Sequence, residues 1–144
     1  MKNYLILTAI FACCVFVACS SKTGVPVEFS KACSPDNQKK YVEVAGYLDD
    51  DGSLYCSNVG GRMNCGFTFK EKPTDAKGFG ADIEQGSSAN EVEKLSSGYK
   101  REDIKIHASD GSIINLADRV KLTGEMNLAP DGSVCFMEVT KIEK

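Results

Sequence analysis

Apolar and polar residues alternate along two stretches that lie some eighty positions apart. In residues 119–126, Val120, Leu122 and Met126 fall on one side, and Lys121, Thr123 and Glu125 on the other. A strand turns successive side chains to opposite faces, so the pattern predicts one buried face and one wet face. Gly124 interrupts the apolar side, where a barrel strand needs a bulge or a sharp coil. Val42-Glu43-Val44-Ala45-Gly46-Tyr47-Leu48 carries the same pattern. Two copies of V-x-[VL]-x-G, one near each end of a small β domain, predict partners that close a single barrel.

Turn chemistry divides the remainder. Asp51-Gly52-Ser53, Asp110-Gly111-Ser112 and Asp131-Gly132-Ser133 each follow an apolar run, and Gly60-Gly61 is a fourth turn candidate. Such dipeptides suit type I′ turns, which need positive φ at both central residues. The prediction is a three-stranded meander over 41–50, 53–59 and 62–70, then a polar loop over 71–78 and a short strand over 79–83. Ser88-Ala89-Asn90-Glu91 fits a capping box and opens a short helix to about Ser96, with Val92 and Leu95 on one side. That helix is expected to plug one end of the barrel. An extra hairpin over 104–116 turns at Asp110-Gly111, with Ile104 and Ile106 sharing a face. A final hairpin pairs 119–128 with 134–142. In its second strand Cys135, Met137 and Val139 share one face, and Val134, Phe136, Thr140 and Ile142 the other.

The first residues read differently. Met1-Lys2-Asn3 is a short positive start, and Tyr4 to Ala18 is almost wholly apolar. That run is short of the roughly 20 residues a membrane span takes, and fits the core of a secretory signal peptide over 1–18. It ends Phe16-Val17-Ala18-Cys19, followed by Ser20-Ser21-Lys22-Thr23-Gly24. This resembles a bacterial lipobox. The resemblance implies cleavage before Cys19, a diacylglycerol thioether on its sulfur, and acylation of the new amino group by a fatty acid such as palmitate. Ser20 rather than Asp after the Cys implies the outer membrane. Residues 19–38 then read as a lipid tether and lead-in, with a helical turn over 28–32 and a turn at Pro35-Asp36-Asn37, and residues 39–144 as the domain.

Charge narrows the partners. Without residues 1–18 the chain keeps 16 Lys and Arg against 20 Asp and Glu, a formal charge of −4. An acidic exported domain is a poor match for nucleic acid, which demands a basic face. Of the seven cysteines, Cys13 and Cys14 leave with the signal peptide and Cys19 is taken by lipid, so Cys33, Cys56, Cys65 and Cys135 remain, an even number that reads as two disulfides. If Gly60-Gly61 is a two-residue loop, Cys56 faces Cys65 at a non-hydrogen-bonded position, with Cα atoms about 4.5 Å apart. That favours Cys56–Cys65 with Cys33–Cys135. Cys33–Cys56 with Cys65–Cys135, or four buried thiols, are the alternatives. Zinc is disfavoured, because the chain has no C-x-x-C and one histidine.

Little else carries chemistry. His107 falls opposite Ile104 and Ile106, on a wet face, with no marked nucleophile to serve. Asp49-Asp50-Asp51-Gly52 invites a calcium reading, but Tyr47 stands where the first carboxylate of that pattern belongs, so a solvated hairpin tip is expected. Gly78-Phe79-Gly80 lacks the third glycine of a dinucleotide fingerprint, since Ile83 stands there. No catalytic residue, metal or cofactor is expected. Tyr47 and Tyr55 could stack on a sugar or a base. Tyr55, Ser57, Asn64 and Thr68 would form a binding face beside Asp49, Asp50 and Asp51.

The predicted fold is mostly β: a five-stranded OB-fold-like barrel with one short helix and an extra hairpin. The residues that carry a resemblance are Tyr41 to Leu48, Asn64-Cys65-Gly66-Phe67, Asp110-Gly111, Val120 to Gly124 and Val134-Cys135-Phe136. Through them the chain resembles the OB-fold ("tRNA anticodon-like") lipoproteins of Bacteroidetes-type bacteria. The resemblance implies a fold and a location in the cell envelope, with no reaction attached. The expected function is a membrane-anchored binding or interaction module for a glycan, a peptide or an envelope protein. An envelope hydrolase, or a structural subunit of an envelope complex, is the alternative.

Overall fold

The structure, a computed structural model, describes residues 22–144. The expected signal peptide over 1–18, with Cys13 and Cys14, and the expected lipidation site Cys19 lie outside the described residues. Among the described residues nine strands form: β1 (Val25–Pro26), β2 (Tyr41–Asp49), β3 (Tyr55–Val59), β4 (Arg62–Lys70), β5 (Phe79–Glu84), β6 (Ile106–His107), β7 (Ile113–Ile114), β8 (Val120–Leu128) and β9 (Cys135–Glu143). The main sheet runs β1-β2-β8-β9-β5-β4-β3, and β4 also pairs with β2, so five strands close on themselves. The β5–β9 pair is parallel, and the other four pairs of the barrel are antiparallel. This is an OB-fold-like barrel, as the alternation predicts.

The two glycine-broken segments are the seam. Val42 pairs with Gly124, Val44 with Leu122, and Gly46 with Val120, so each copy sets its glycine opposite the other's valine. Both glycines mark a crossing of backbones. At Gly46, β2 leaves β8 and takes up β4; a Cβ there would strike the Lys70 carbonyl and lie 2.9 Å from the Phe69 ring. At Gly124 a Cβ would strike the Glu138 carbonyl and lie 2.6 Å from Met137 Cγ. A bulge sits beside it: Thr123 pairs with Lys141 but Gly124 with Val139, which leaves Thr140 as the extra residue. The bulge reverses the alternation of β9, so Met137 and Ile142 both point into the core. A strict period of two would have set them on opposite faces.

The meander forms with a different composition. β2 and β3 do not pair with each other. Both run antiparallel to β4 along the same edge, Asp49 opposite Thr68 and Tyr55 opposite Gly66. Residues 50–54 loop out between them. Asp51 and Gly52 have φ of 46° and 82°, as a type I′ turn needs, yet the chain resumes its direction. Leu54 N, bonded to Tyr99 Oη, returns the chain to the β4 edge, and Lys70 of β4 grips Asp49 and Asp51. The true reversal is at Gly60-Gly61, with φ of 61° and 88°. The meander is therefore β2 plus β3, then β4, then β5.

The helix expected over 88–96 is absent. One half of the capping box forms, since Ser88 N donates to Glu91 Oε2 at 2.6 Å. Asn90 then adopts φ of 66°, and Val92 bridges both Gln85 and Ile106 in extended form. A β-branched residue with two strand partners outweighs a short helix that ends in Ser96-Ser97-Gly98. Val92 still closes part of the core, fully buried beside Ile104 and Ile106. The extra hairpin is the β6–β7 pair, Ile106 opposite Ile114.

The lead-in is built onto the barrel. Val25 and Pro26 pair in parallel with Val42 and Glu43. The helical turn is a 3₁₀ turn at Phe29–Lys31, and Pro35–Asn37 is another. Phe29 stacks on Phe69 and Phe79, with centroids 5.8 and 5.2 Å away. Both expected disulfides are present: Cys56–Cys65, with Cα atoms 4.0 Å apart across β3 and β4, and Cys33–Cys135, with Cα atoms 5.9 Å apart. No helix among the described residues is long and apolar enough to cross a membrane.

Candidate functional site

Alternation decides which side chains leave the barrel. In β4, Cys65, Phe67 and Phe69 are buried; in β5, Ala81 and Ile83; in β9, Met137. Their neighbours Asn64, Gly66, Thr68, Gly80, Asp82, Glu84, Phe136 and Glu138 therefore face outward. Register brings them together: Asn64 opposite Glu84, Gly66 opposite Asp82, Gly80 opposite Phe136, and Asp82 opposite Glu138. The result is a groove of about 420 Å³, lined among others by Asn64, Asp82, Phe136 and Glu138. Gly80 leaves room for Phe136 opposite it: a Cβ there would come within 2.9 Å of Phe136 Cβ.

The groove is acidic. Arg62 and Glu84 pair at 3.3 Å at one end. Glu138 Oε1 accepts a hydrogen bond of 3.3 Å from Asn127 Nδ2. Asp82 has no ion-pair partner among the described residues. Burial, and then the charge of Glu138, hold its carboxyl above the usual carboxylate range. A protonated amine or a row of hydroxyl donors would satisfy both carboxylates. A phosphate would meet like charge.

Comparison with protein-family models, curated proteins and solved structures finds no match to this chain.

Of the residues singled out in the sequence, Tyr55, Ser57, Asn64 and Thr68 do share this outer surface, on β3 and β4. Tyr55 is 76 % exposed. Tyr47 and Asp49 lie on the same face beyond them, opposite Lys70 and Thr68. Asp82, Glu84, Phe136 and Glu138 were not anticipated. The signal was present in Gly80-Ala81-Asp82-Ile83-Glu84, whose alternation sends both carboxylates outward.

The aspartate run is ion-paired at its base and exposed at its tip, with Asp50 buried and Asp51 exposed. Lys70 Nζ lies 2.5 Å from Asp49 Oδ2 and 3.0 Å from Asp51 Oδ1. Arg101 lies 2.5 Å from Asp49 Oδ1 and also pairs with Asp50, which is buried. Thr68 Oγ1 donates to Asp51. Three carboxylates thus close around two cations that the chain itself supplies. Burial alone would raise the Asp49 carboxyl, but hydrogen bonds from Lys70 and Arg101 outweigh it and bring it down to about 2. The tip itself, Asp51-Gly52-Ser53, is exposed as Asp-Gly predicts, but it is no hairpin, and at its base Arg101, in a 3₁₀ turn more than fifty positions later, folds back onto Asp49 and Asp50.

His107 is also less exposed than its alternation suggests. Its side chain is 17 % accessible, and Nε2 meets Glu93 Oε1 at 3.0 Å. No hydroxyl or thiol is among its hydrogen-bond partners in the described residues.

Proposed function

We propose that this chain is an exported lipoprotein, anchored through Cys19, and that its barrel is a binding module. The recognition face is the groove across β4, β5 and β9. One observation carries the reading: two outward carboxylates, Asp82 and Glu138, oppose each other beside Phe136 in one groove, next to the side-chain-free positions Gly66 and Gly80. Asp82 is half-buried and Glu138 exposed, and the like charges of the pair repel unless a cation or a set of donors comes between them. The ligand is an extended molecule rich in donors, such as a cationic peptide segment or an amino sugar, and the exposed Tyr55 offers it a stacking surface beside the groove. The acidic lining disfavours a nucleic-acid backbone. The OB-like plan and the lipobox resemblance support membership of the OB-fold lipoproteins.

Arrays of cationic peptides and amino-sugar glycans, probed with the detergent-solubilised full chain, test the reading. A ligand retained by the wild type and lost with Asp82→Asn and Glu138→Gln is expected. Retention unchanged in both variants refutes it. So does a turnover activity abolished by His107→Ala, which would favour the hydrolase.

A further inference from the structure

The chain reaches its barrel almost as soon as it leaves Cys19. Lys22 Nζ donates to Tyr41 Oη at 3.2 Å and stands 4.4 Å over the Tyr41 ring. Gly24 lies against the sheet: a Cβ there would sit 2.7 Å from Thr123 Cγ2 and 2.8 Å from the Val42 carbonyl carbon. Val25 and Pro26 then enter the β2 ladder, and Val27 N donates to Glu43 O at 2.9 Å.

Only Ser20 and Ser21 separate Cys19 from Lys22. Three residue steps span at most about 11 Å. A domain of this length has a radius of gyration of about 14 Å. A leash shorter than the barrel's own radius cannot turn the far side of the barrel to the bilayer. The wall beside Lys22 must lie against the lipid surface.

That wall has a shape. A groove of about 380 Å³ opens next to Lys22, lined among others by Tyr41, Ser109, Thr140 and Lys141. Ammonium and hydroxyl groups dominate the lining, which suits the phosphates of lipid headgroups. Its one carboxylate, Glu43, is paired to Lys121 at 3.4 Å, and of its two ammonium groups Lys141 is paired to Glu143 at 2.9 Å while Lys22 has no carboxylate partner among the described residues. We propose that this groove is a headgroup-docking surface, occupied by the membrane that holds the anchor. The proposal rests on the lipid anchor at Cys19 and is independent of the ligand of the β4–β5–β9 groove. It also sets an orientation. β2 leads from Tyr41 at the membrane to Asp49, roughly 26 Å along the strand. The Asp49–Lys70–Arg101 cluster therefore faces away from the bilayer.

The test uses the full lipidated chain on vesicles of phosphatidylethanolamine and phosphatidylglycerol. Lysines are modified with a water-soluble acylating reagent and read by mass spectrometry. Lys72, beyond the far end of β2, is the internal reference. A second protein carries about 20 Gly-Ser residues between Ser21 and Lys22, a spacer of roughly 25 Å. In the native chain, Lys22 and Lys141 should react several-fold more slowly than in the spacer variant, with Lys72 unchanged. Equal rates in two proteins that both float with the vesicles overturn the docking while leaving the anchor intact. A native chain that fails to float overturns the anchor, and the docking with it. Protection seen in whole envelopes but not on vesicles assigns the groove to a protein and overturns the lipid assignment.

Discussion

Gly124→Ala probes the closure of the barrel most directly. The glycine has no positive φ, so backbone freedom is not what the position demands. Space is. An added Cβ would strike the Glu138 carbonyl and lie 2.6 Å from Met137 Cγ and 2.8 Å from the Glu138 carbonyl carbon. Ordinary contact needs well over 3 Å, so β9 must retreat by on the order of an ångström, although it is fixed in the β8 ladder on both sides of the bulge. Overpacking against backbone belongs at the upper end of its range, about 3 kcal/mol. With an unfolding entropy of about 0.26 kcal/mol/K for a domain of this length, the midpoint should fall by roughly 12 °C. The control is Gly66→Ala, whose Cβ would lie 3.5 Å from Asp82 Oδ1, an ordinary contact. There the loss of unfolded-chain freedom should leave stability unchanged or slightly higher. Thermal unfolding followed by circular dichroism, with disulfides intact, measures both. If Gly124→Ala melts with the wild type, or falls no further than Gly66→Ala, the crossing of β9 over β8 is not as close as described.

Acid should weaken the fold through Asp49. Its carboxyl ionises at about 2 in the folded chain against 3.8 for the free residue, so about 2 kcal/mol of stability is present above pH 4 and is lost as pH falls from 4 towards 2. Urea midpoints across that range should lose this limb in Asp49→Asn, and an unaltered acid limb would discount the ion-pair cluster. Removing Cys33–Cys135 by paired alanines should cost more than removing Cys56–Cys65, about 5 against about 3 kcal/mol on loop-closure grounds, since the pairs are separated by 102 and 9 positions. Urea unfolding ranks the two, and the reverse order would contradict the entropic account. Cys19→Ala should move the protein from the membrane pellet to the soluble fraction, and continued sedimentation would refute lipidation.

The sequence showed its local rules plainly and its long-range compensations poorly. The seam was legible because both V-x-[VL]-x-G copies obey a period of two and carry their glycine at the same step. Cys56–Cys65 was legible because a two-residue Gly-Gly turn fixes register by counting. Asp51-Gly52 was misread because positive φ sets the shape of a turn and not the direction of the chain after it; a hydrogen bond from Leu54 to Tyr99 decides that. The 88–96 segment was misread because Val92 has strand partners at Gln85 and Ile106, which no local window contains. Ile142 was set on the wrong face because the bulge at Thr140 inserts one unannounced residue. The groove stayed hidden for the same kind of reason. Asp82 and Glu138 lie more than fifty positions apart and meet only because β5 and β9 run parallel.

The two sulfur bridges impose a timetable. Of the four bridged cysteines a chain made from its N-terminus exposes Cys33 first, yet its partner Cys135 comes 102 positions later, in the last strand described. Cys56 and Cys65 are joined by a hairpin that closes in microseconds, so once the chain is in an oxidising compartment they can find each other before the longer-range strands have paired. Early capture of that pair removes the two thiols with which Cys33 could mispair, and the long wait of the first thiol ends only when β9 is laid down. A slow hairpin, such as that of Gly61→Val, whose side chain opposes the φ of 88° at that position, should therefore accumulate scrambled isomers during oxidative refolding.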